Sequence, residues 1–376
     1  MKVMTLVGTR PELIKLSRVI AELDRSFTHV FVHTGQNFDF ELNEIFFREL
    51  EIRRPDHLLG VAHENPAGAI GQVIARSYDV IAAEQPDAML ILGDTNSGLA
   101  AISAKRLKVP IFHMEAGNRC FDERVPEELN RRIIDHTADV NLPYTEHARR
   151  YLLAEGLPPD RVIKTGSPMA EVLAYYKSRI EASAVLDELR LGRAEYFLVS
   201  AHREENVDDP RRVDDLLGSL NELARTYSQP VIVSVHPRTR KRLDGLNGTI
   251  ALDPRIRLLK PLGFLDYARL QMNARCVLSD SGTITEESSL LNFPAVTIRN
   301  AHERPEGMDE GTLVMSGLRA DQVRAAVELA TRHHVPGRRA FRLVPDYEPD
   351  NVSMKISRII ASYTDYVNSV VWRKQR

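Results

Sequence analysis

"KVMTLVGTRPELIKLSRVIAEL", residues 2 to 23, changes its periodicity at Gly8. Residues 2–8 are a short apolar run with no alternating polar face, the pattern of a strand buried on both sides. From Pro11 onward Leu13, Leu16, Ile20 and Leu23 recur at helical spacing. Proline is favoured in the first turn of a helix, so the helix starts there. A buried strand that passes through one glycine into an amphipathic helix is a β-α unit, and repetition of that unit implies right-handed crossovers in a parallel sheet.

The unit repeats. Residues 29–35, 88–94, 109–117 and 161–167 read as further buried strands, with a helical pattern less strict over Leu99, Ile102 and Leu107. A charged helical stretch, 169–193, leads to a second series of strands at 195–202, 230–237, 255–261, 274–282 and 294–300. Residues 351–371 read as a final helix with Ile356, Ile359, Ile360 and Tyr363 on its apolar positions. The expected fold class is α/β: two Rossmann-like domains facing a central cleft, the C-terminal helix returning to the first domain. The boundaries read from sequence are 1–168, completed by 359–376, for the first domain and 169–358 for the second. A chain of 376 residues suits two such domains.

Composition narrows the function. The chain is 43% hydrophobic and 27% charged with a net charge of -2, so nothing in it favours nucleic acid or a membrane surface. Cys120 and Cys276 lie far apart without a CxxC pair, which argues against a metal cluster or disulfide framework. The N-terminal apolar run meets charge at Arg10, and no stretch reaches the roughly 18 apolar residues of a membrane span. The expected location is the cytoplasm.

Open α/β sheets bind ligands at the carboxyl ends of their strands, and the unusual residues of this chain fall there. After the first strand, the helix start with Arg10 and Lys15 is either an anion site or a plain β-α turn with solvated bases. "LSDSGTITEE" repeats the device with Ser281, Gly282 and Glu287; small residues would let a diphosphate approach and the acid could meet ribose hydroxyls. The bland alternative is an N-cap followed by first-turn acids. His202 and His236 stand at two strand ends of the second half, where a lone histidine is more often structural. Asp94, Glu115 and Glu127 stand at or after strand ends of the first half and would carry a desolvation cost unless paired or used. The stretch 113–136 alone holds six acids and four arginines, and Arg119, Arg124 and Arg131 offer a purely structural explanation for Asp94, Glu115 and Glu127.

"GTRPELIK", "GDT", "EAGNR", "PEELNR", "AHREEN", "DSG...EE" and "ERPE" occur in order from residue 8 to about 312. In these motifs the chain resembles the non-hydrolysing UDP-N-acetylglucosamine 2-epimerase family, whose members have a two-domain fold like that of GT-B glycosyltransferases. "HTGQNFDFELNEIFF", "MEAGNRCFDERVPEELNRRIIDHTAD", "YTEHARRYLLAEG" and "TGSPMAEVL" look most like the branch that forms UDP-N-acetyl-L-fucosamine by C2 epimerisation of UDP-2-acetamido-2,6-dideoxy-L-talose. The resemblance implies UDP binding by Arg10, Lys15, Ser281, Gly282, Glu287 and Arg304, with Tyr267 near uracil; His236, paired with His202 at a neighbouring strand end, is read from the sequence as a further substrate-binding residue. It implies catalytic roles for Asp94, Glu115, Glu127 and His202. It also implies a homodimer, a UDP-amino sugar as partner, no cofactor and no metal, and a place in surface polysaccharide precursor synthesis.

Three departures from the family pattern stand out. "GQNFDFEL" replaces the "QHREM" stretch associated with an activating second nucleotide, which argues against such activation. "DSGT" places Thr283 where a glycine is common, and Tyr267 stands where Phe is found. The alternatives to the fucosamine branch are the same chemistry on UDP-N-acetylglucosamine or on a UDP-diacetamido-uronate, a GT-B glycosyltransferase, and a silent UDP-sugar binder.

Overall fold

The computed structural model describes residues 1–35, 40–63, 65–201, 203, 206, 209–235 and 251–374, the side chains of 40–43 apart. The chain forms two compact units, Met1–Ala174 with Asp346–Arg376, and Tyr175–Pro345. The first crossing falls inside the helix Met169–Glu181, and the return precedes the last helix rather than interrupting it.

The first unit holds β1 (Lys2–Val7), β2 (Thr28–His33), β3 (His57–Leu58), β4 (Ala88–Leu92), β5 (Ile111–Met114) and β6 (Val140–Leu142). They form one parallel sheet in the order β3-β2-β1-β4-β5-β6. The second unit holds β7 (Phe197–Ser200), β8 (Val231–Ser234), β9 (Ile256–Leu259), β10 (Cys276–Ser279), β11 (Ala295–Thr297) and β12 (Val314–Met315), in the order β12-β11-β10-β7-β8-β9. Counted from its own first strand, the second sheet repeats the order of the first. Each sheet therefore reverses direction of winding once, between β1 and β4 and between β7 and β10. Strand ends at such a reversal leave room for a ligand.

The local reasons are those of the sequence. In β1 the side chains of Val3, Met4, Leu6 and Val7 are all buried. Thr9 caps the helix Arg10–Ser26 with extended backbone, Pro11 opens it, and Leu13, Leu16, Val19, Ile20 and Leu23 pack inward. Each such apolar side chain contributes roughly 1.5–3 kcal/mol on burial. The last helix, Val352–Val370, packs on Arg10–Ser26 through Ile356, Ile360 and Val367. Asp346 fixes its approach by accepting from Glu146 N (2.9 Å) and Lys164 Nζ (2.6 Å).

One expected strand is absent. Residues 161–167 run beside β6 with a single bridge at Val162, and Gly166 turns away at φ +87° with Pro349 filling the space its side chain would need. The strand that completes the sheet is β6, whose three residues give too short a periodic signal to read. The short β3 and β12 escape notice for the same reason. The stretch 169–193 contains two helices, Met169–Glu181 and Val185–Leu189, rather than one.

His33, at the end of β2, is buried, and its Nδ1 accepts from Gly35 N at 2.9 Å. Burial pushes its pKa down to about 4. The unfolded imidazole takes a proton below its ordinary value of about 6.5 while the folded one does not, so stability falls as pH drops from about 6.5 towards 4. A loss of ~3 kcal/mol over that window is expected in the wild type relative to His33→Asn, which keeps an acceptor for Gly35. Urea titrations of both proteins at pH 7 and pH 4 measure it; parallel pH slopes would contradict the assignment.

Candidate active site

Four turns at the strand ends of the first unit gather its charged residues. After β1, Gly8 has no room for a side chain, since a Cβ there would lie 2.6 Å from Thr34 Oγ1 and 3.0 Å from Ser97 Cβ. On the helix that follows, Arg10 lies over the Phe46 ring and Lys15 is buried. Lys15 Nζ donates to Glu115 Oε2 at 2.5 Å and sits 5.8 Å from the centre of the Tyr144 ring. Glu115 directly follows β5 and adopts φ +62°, a left-handed conformation that side-chain-bearing residues rarely adopt. Its carboxylate points at Gly93, where an added Cβ would lie 4.0 Å from Oε2. Glu115 thus lies beside the turn that carries Asp94.

Asp94 is held from the other side. Arg131 Nε donates to Asp94 Oδ2 (2.8 Å) and Nη1 to Glu128 Oε2 (2.6 Å), while Asn130 Nδ2 donates to Asp94 O (2.9 Å). Both donors lie on the helix Pro126–Thr137, whose first turn carries Glu127, half-buried, and Glu128, buried. Burial alone would raise the Glu128 carboxyl, but the Cys120 amide and thiol and the Arg131 guanidinium outweigh it and hold the group below the usual carboxylate range.

A second buried network holds the turn after Glu115. Both oxygens of Asp135 accept from Gly117 N at 3.2 Å, and Oδ2 also accepts from Arg119 Nη1 at 2.7 Å. Arg119 makes two further bonds to Glu155, at 2.8 and 2.7 Å. His113 Nδ1 lies 2.9 Å from Asp135 Oδ1, and its Nε2 donates to Gly93 O at 2.9 Å. The backbone around Glu115 is therefore fixed from three directions.

In the second unit the corresponding turns follow β7 and β10. Arg203 N donates to Asp280 Oδ2 (2.9 Å) and Asn206 Nδ2 to the same oxygen (3.1 Å). Ser281 and Gly282 then lead into the helix Ile284–Leu291, with Ser281 Oγ bonded to Thr283 Oγ1 at 3.0 Å. Glu303, Arg304 and Arg203 all face Gly282: a Cβ there would meet their side chains at 3.5, 3.8 and 4.0 Å. Arg304 is itself held by the fully buried Glu286 at 3.1 Å. Glu287, half-buried, accepts from Gln271 Nε2 at 2.6 Å. Burial and then the neighbouring Glu287 push the Tyr267 phenol well above its ordinary pKa, with a Ser200 hydrogen bond acting the other way.

The structure brings Lys15, Glu115 and Asp94 together in the first unit, and Ser281, Gly282 and Arg304 in the second, where Gln271 bonds Glu287 one helix from Tyr267. Arg10 is placed beside Phe46 and Glu127 on the helix of Arg131. His202 and His236 lie outside the described residues. Sequence reasoning passed over Glu12, Ser97, Glu128, Asp135 and Glu286. Thr9 followed by Glu12 is a capping-box spacing and could have singled out Glu12. The second acid of "PEE" and the first of "TEE" prove to be the buried members of their pairs, which no local signal reveals.

Two doubly wound units of one strand order, with cations and carboxylates gathered at their winding reversals, define the GT-B-like class of α/β proteins. The family model described as UDP-N-acetylglucosamine 2-epimerase matches residues 21–361. The structure of a UDP-N-acetylglucosamine 2-epimerase from Rickettsia bellii superposes with a TM-score of 0.94 at 55% identity, covering 100% of both chains. That of the UDP-GlcNAc 2-epimerase of Methanocaldococcus jannaschii, in complex with UDP-GlcNAc and UDP, superposes at 0.90 with 30% identity over 96% of this chain and 100% of that one. The UDP-2,3-diacetamido-2,3-dideoxy-D-glucuronate 2-epimerase of Pseudomonas aeruginosa is 34% identical over 329 residues, 86% of this chain and 90% of that protein. The chain belongs to the UDP-N-acetylglucosamine 2-epimerase family of non-hydrolysing isomerases, and its activity class is UDP-sugar 2-epimerisation.

Proposed function

We propose that the chain converts UDP-2-acetamido-2,6-dideoxy-L-talose to UDP-N-acetyl-L-fucosamine, a cytoplasmic step that supplies a surface polysaccharide precursor, and that it works as a homodimer. The observation that carries the choice of sugar is the stretch from Met114 to Asp139, which as a whole resembles that branch of the family. A second reading, epimerisation of UDP-N-acetylglucosamine, is favoured by the activity for which the 55% identical Rickettsia bellii protein is named.

The chemistry is common to both. A C2 hydrogen with no adjacent carbonyl is barely acidic, so the C1–O bond to UDP breaks first or together with proton loss. The departing diphosphate takes the electron pair, a carboxylate takes the C2 proton, and a C1–C2 double bond remains. Protonation of C2 on the opposite face and return of UDP to C1 give the epimer. Asp94, Glu115 and Glu127 form the acid/base set, and His202 stabilises phosphate or sugar. Arg10, Lys15, Ser281, Gly282 and Arg304 hold the diphosphate, Glu287 the ribose and Tyr267 the uracil, with His236 as a further substrate-binding residue. The Lys15 and Arg131 contacts support this reading, because Glu115 and Asp94 are each held by a cation at the strand end.

Gly282 provides one check. Its surroundings leave ordinary van der Waals room for a methyl group, so Gly282→Ala should fold with an unchanged melting temperature. The methyl would stand where the diphosphate approaches Arg304, and UDP affinity is expected to fall about tenfold, about 1.4 kcal/mol. Equal calorimetric affinities for variant and wild type would remove Gly282 from the diphosphate site.

The deciding experiment is proton NMR in D₂O with each UDP-sugar in a separate tube. Deuterium at C2 and a new UDP-sugar only with the 6-deoxy-talose substrate establishes the proposal. Exchange only with UDP-N-acetylglucosamine replaces the substrate and keeps the elimination route. UDP release that depends on an added acceptor would instead make the chain a transferase.

A further inference from the structure

Glu12 is 1% exposed and takes no part in the steps above. Its Oε2 accepts from Gly8 N (3.1 Å) and Thr9 Oγ1 (2.7 Å), and its Oε1 accepts from Ser97 Oγ (2.6 Å). We propose that Glu12 is a positioning residue: through Ser97 it holds the turn that leads to Arg10 and Lys15 in register with the turn that carries Asp94. The inference rests on the acid/base and diphosphate roles assigned above.

A local role accounts for only two of these three bonds. Thr9 and Glu12 have the spacing of a capping box, in which an acid three residues into the helix reaches back to the cap. That explains the bonds to Gly8 and Thr9. It does not explain Ser97, which lies 85 residues further along the chain, is 1% exposed, and also bonds Thr95, the neighbour of Asp94. The two turns are pressed together where Gly8 meets Ser97, with no space for a Cβ on Gly8. One helical turn beyond Glu12, Lys15 reaches Glu115, so Asp94 and Glu115 are both referred to the same helix start. Burial pushes the Glu12 carboxyl up in pKa and its three donors act the other way; a group kept buried at that cost has geometry to maintain.

Ser97→Ala removes the long arm and leaves the cap, whereas Thr9→Val removes part of the cap and leaves the long arm. With the substrate that the NMR experiment identifies, Ser97→Ala is expected to lose ~10- to 100-fold in kcat through misplacement of Asp94. UDP affinity should stay within about twofold, because the loss belongs to alignment and not to binding. Thr9→Val is expected to lower the melting temperature with kcat nearly unchanged. Should Ser97→Ala fail to fold, Glu12→Gln, which keeps the shape and weakens the acceptor, reads the same kcat-to-affinity split. An active wild type with a Ser97→Ala kcat within about twofold of it overturns this inference alone, as does a parallel loss of kcat and UDP affinity. A wild type that exchanges no C2 proton on any UDP-sugar overturns the catalytic assignment and this inference with it.

Discussion

Glu115→Gln is expected to reduce C2 proton exchange by ~10²- to 10⁴-fold, the usual contribution of a positioned acid or base. The substitution keeps the side chain's shape and an oxygen for Lys15 Nζ, which in the native protein lies 2.5 Å from Oε2 and also faces the Tyr144 ring. Folding and UDP affinity should therefore survive, and the loss should appear in kcat. Single-turnover exchange in D₂O, alongside calorimetric titration with UDP, separates the two quantities. Wild-type exchange in the variant would take Glu115 out of the acid/base set, and Asp94 and Glu127 would have to carry both faces of C2.

The second large effect concerns stability. Arg119 is among the largest fully buried side chains, and it neutralises Asp135, which is 0% exposed, while pairing with Glu155. Arg119→Ala leaves the Asp135 carboxylate buried beside Gly117 and His113 without its guanidinium. Breaking a buried pair from one side costs about 3–5 kcal/mol, a large share of a domain's stability. Guanidinium titration should show a lower midpoint and an unfolding free energy reduced by that amount. A change below about 1 kcal/mol would mean that water or His113 compensates Asp135 in full, and that the network is dispensable.

The fold was legible wherever a run of apolar residues was long enough to show its period. β1, β2 and β4 and the helix Arg10–Ser26 were read almost to their ends, because both faces of a parallel strand are buried and the helix keeps one clean stripe, whereas β5, read over 109–117, spans only Ile111–Met114. β6, β3 and β12, of three and two residues, were not, since so few positions cannot show a period. At the site, the strand-end glycines and charges stood out from their neighbours. What could not be read was partnership. Nothing in "PEELNRR" says that Glu128 and Arg131 pair with each other and that Arg131 also reaches back 37 residues to Asp94. Of the arginines that offered a structural explanation for Asp94, Glu115 and Glu127, Arg131 pairs with Asp94, whereas Arg119 pairs with Asp135 and Glu155 and Arg124 with Asp122. For Asp94 the structural and the chemical readings are compatible, because a catalytic carboxylate must be held as well as present.

The left-handed backbone of Glu115 has a wider meaning. A non-glycine residue held at φ +62° costs of order 1–3 kcal/mol, and glycine would relieve that strain at no steric cost. A chain optimised for persistence alone would place glycine between Met114 and Ala116. A carboxylate stands there instead, aimed at Gly93 in a turn braced by Asp135, and under the acid/base role proposed for Glu115 the molecule gives up resistance to heat in exchange for reactivity. Efforts to harden this enzyme should therefore leave that turn alone and look for their gains among the surface helices.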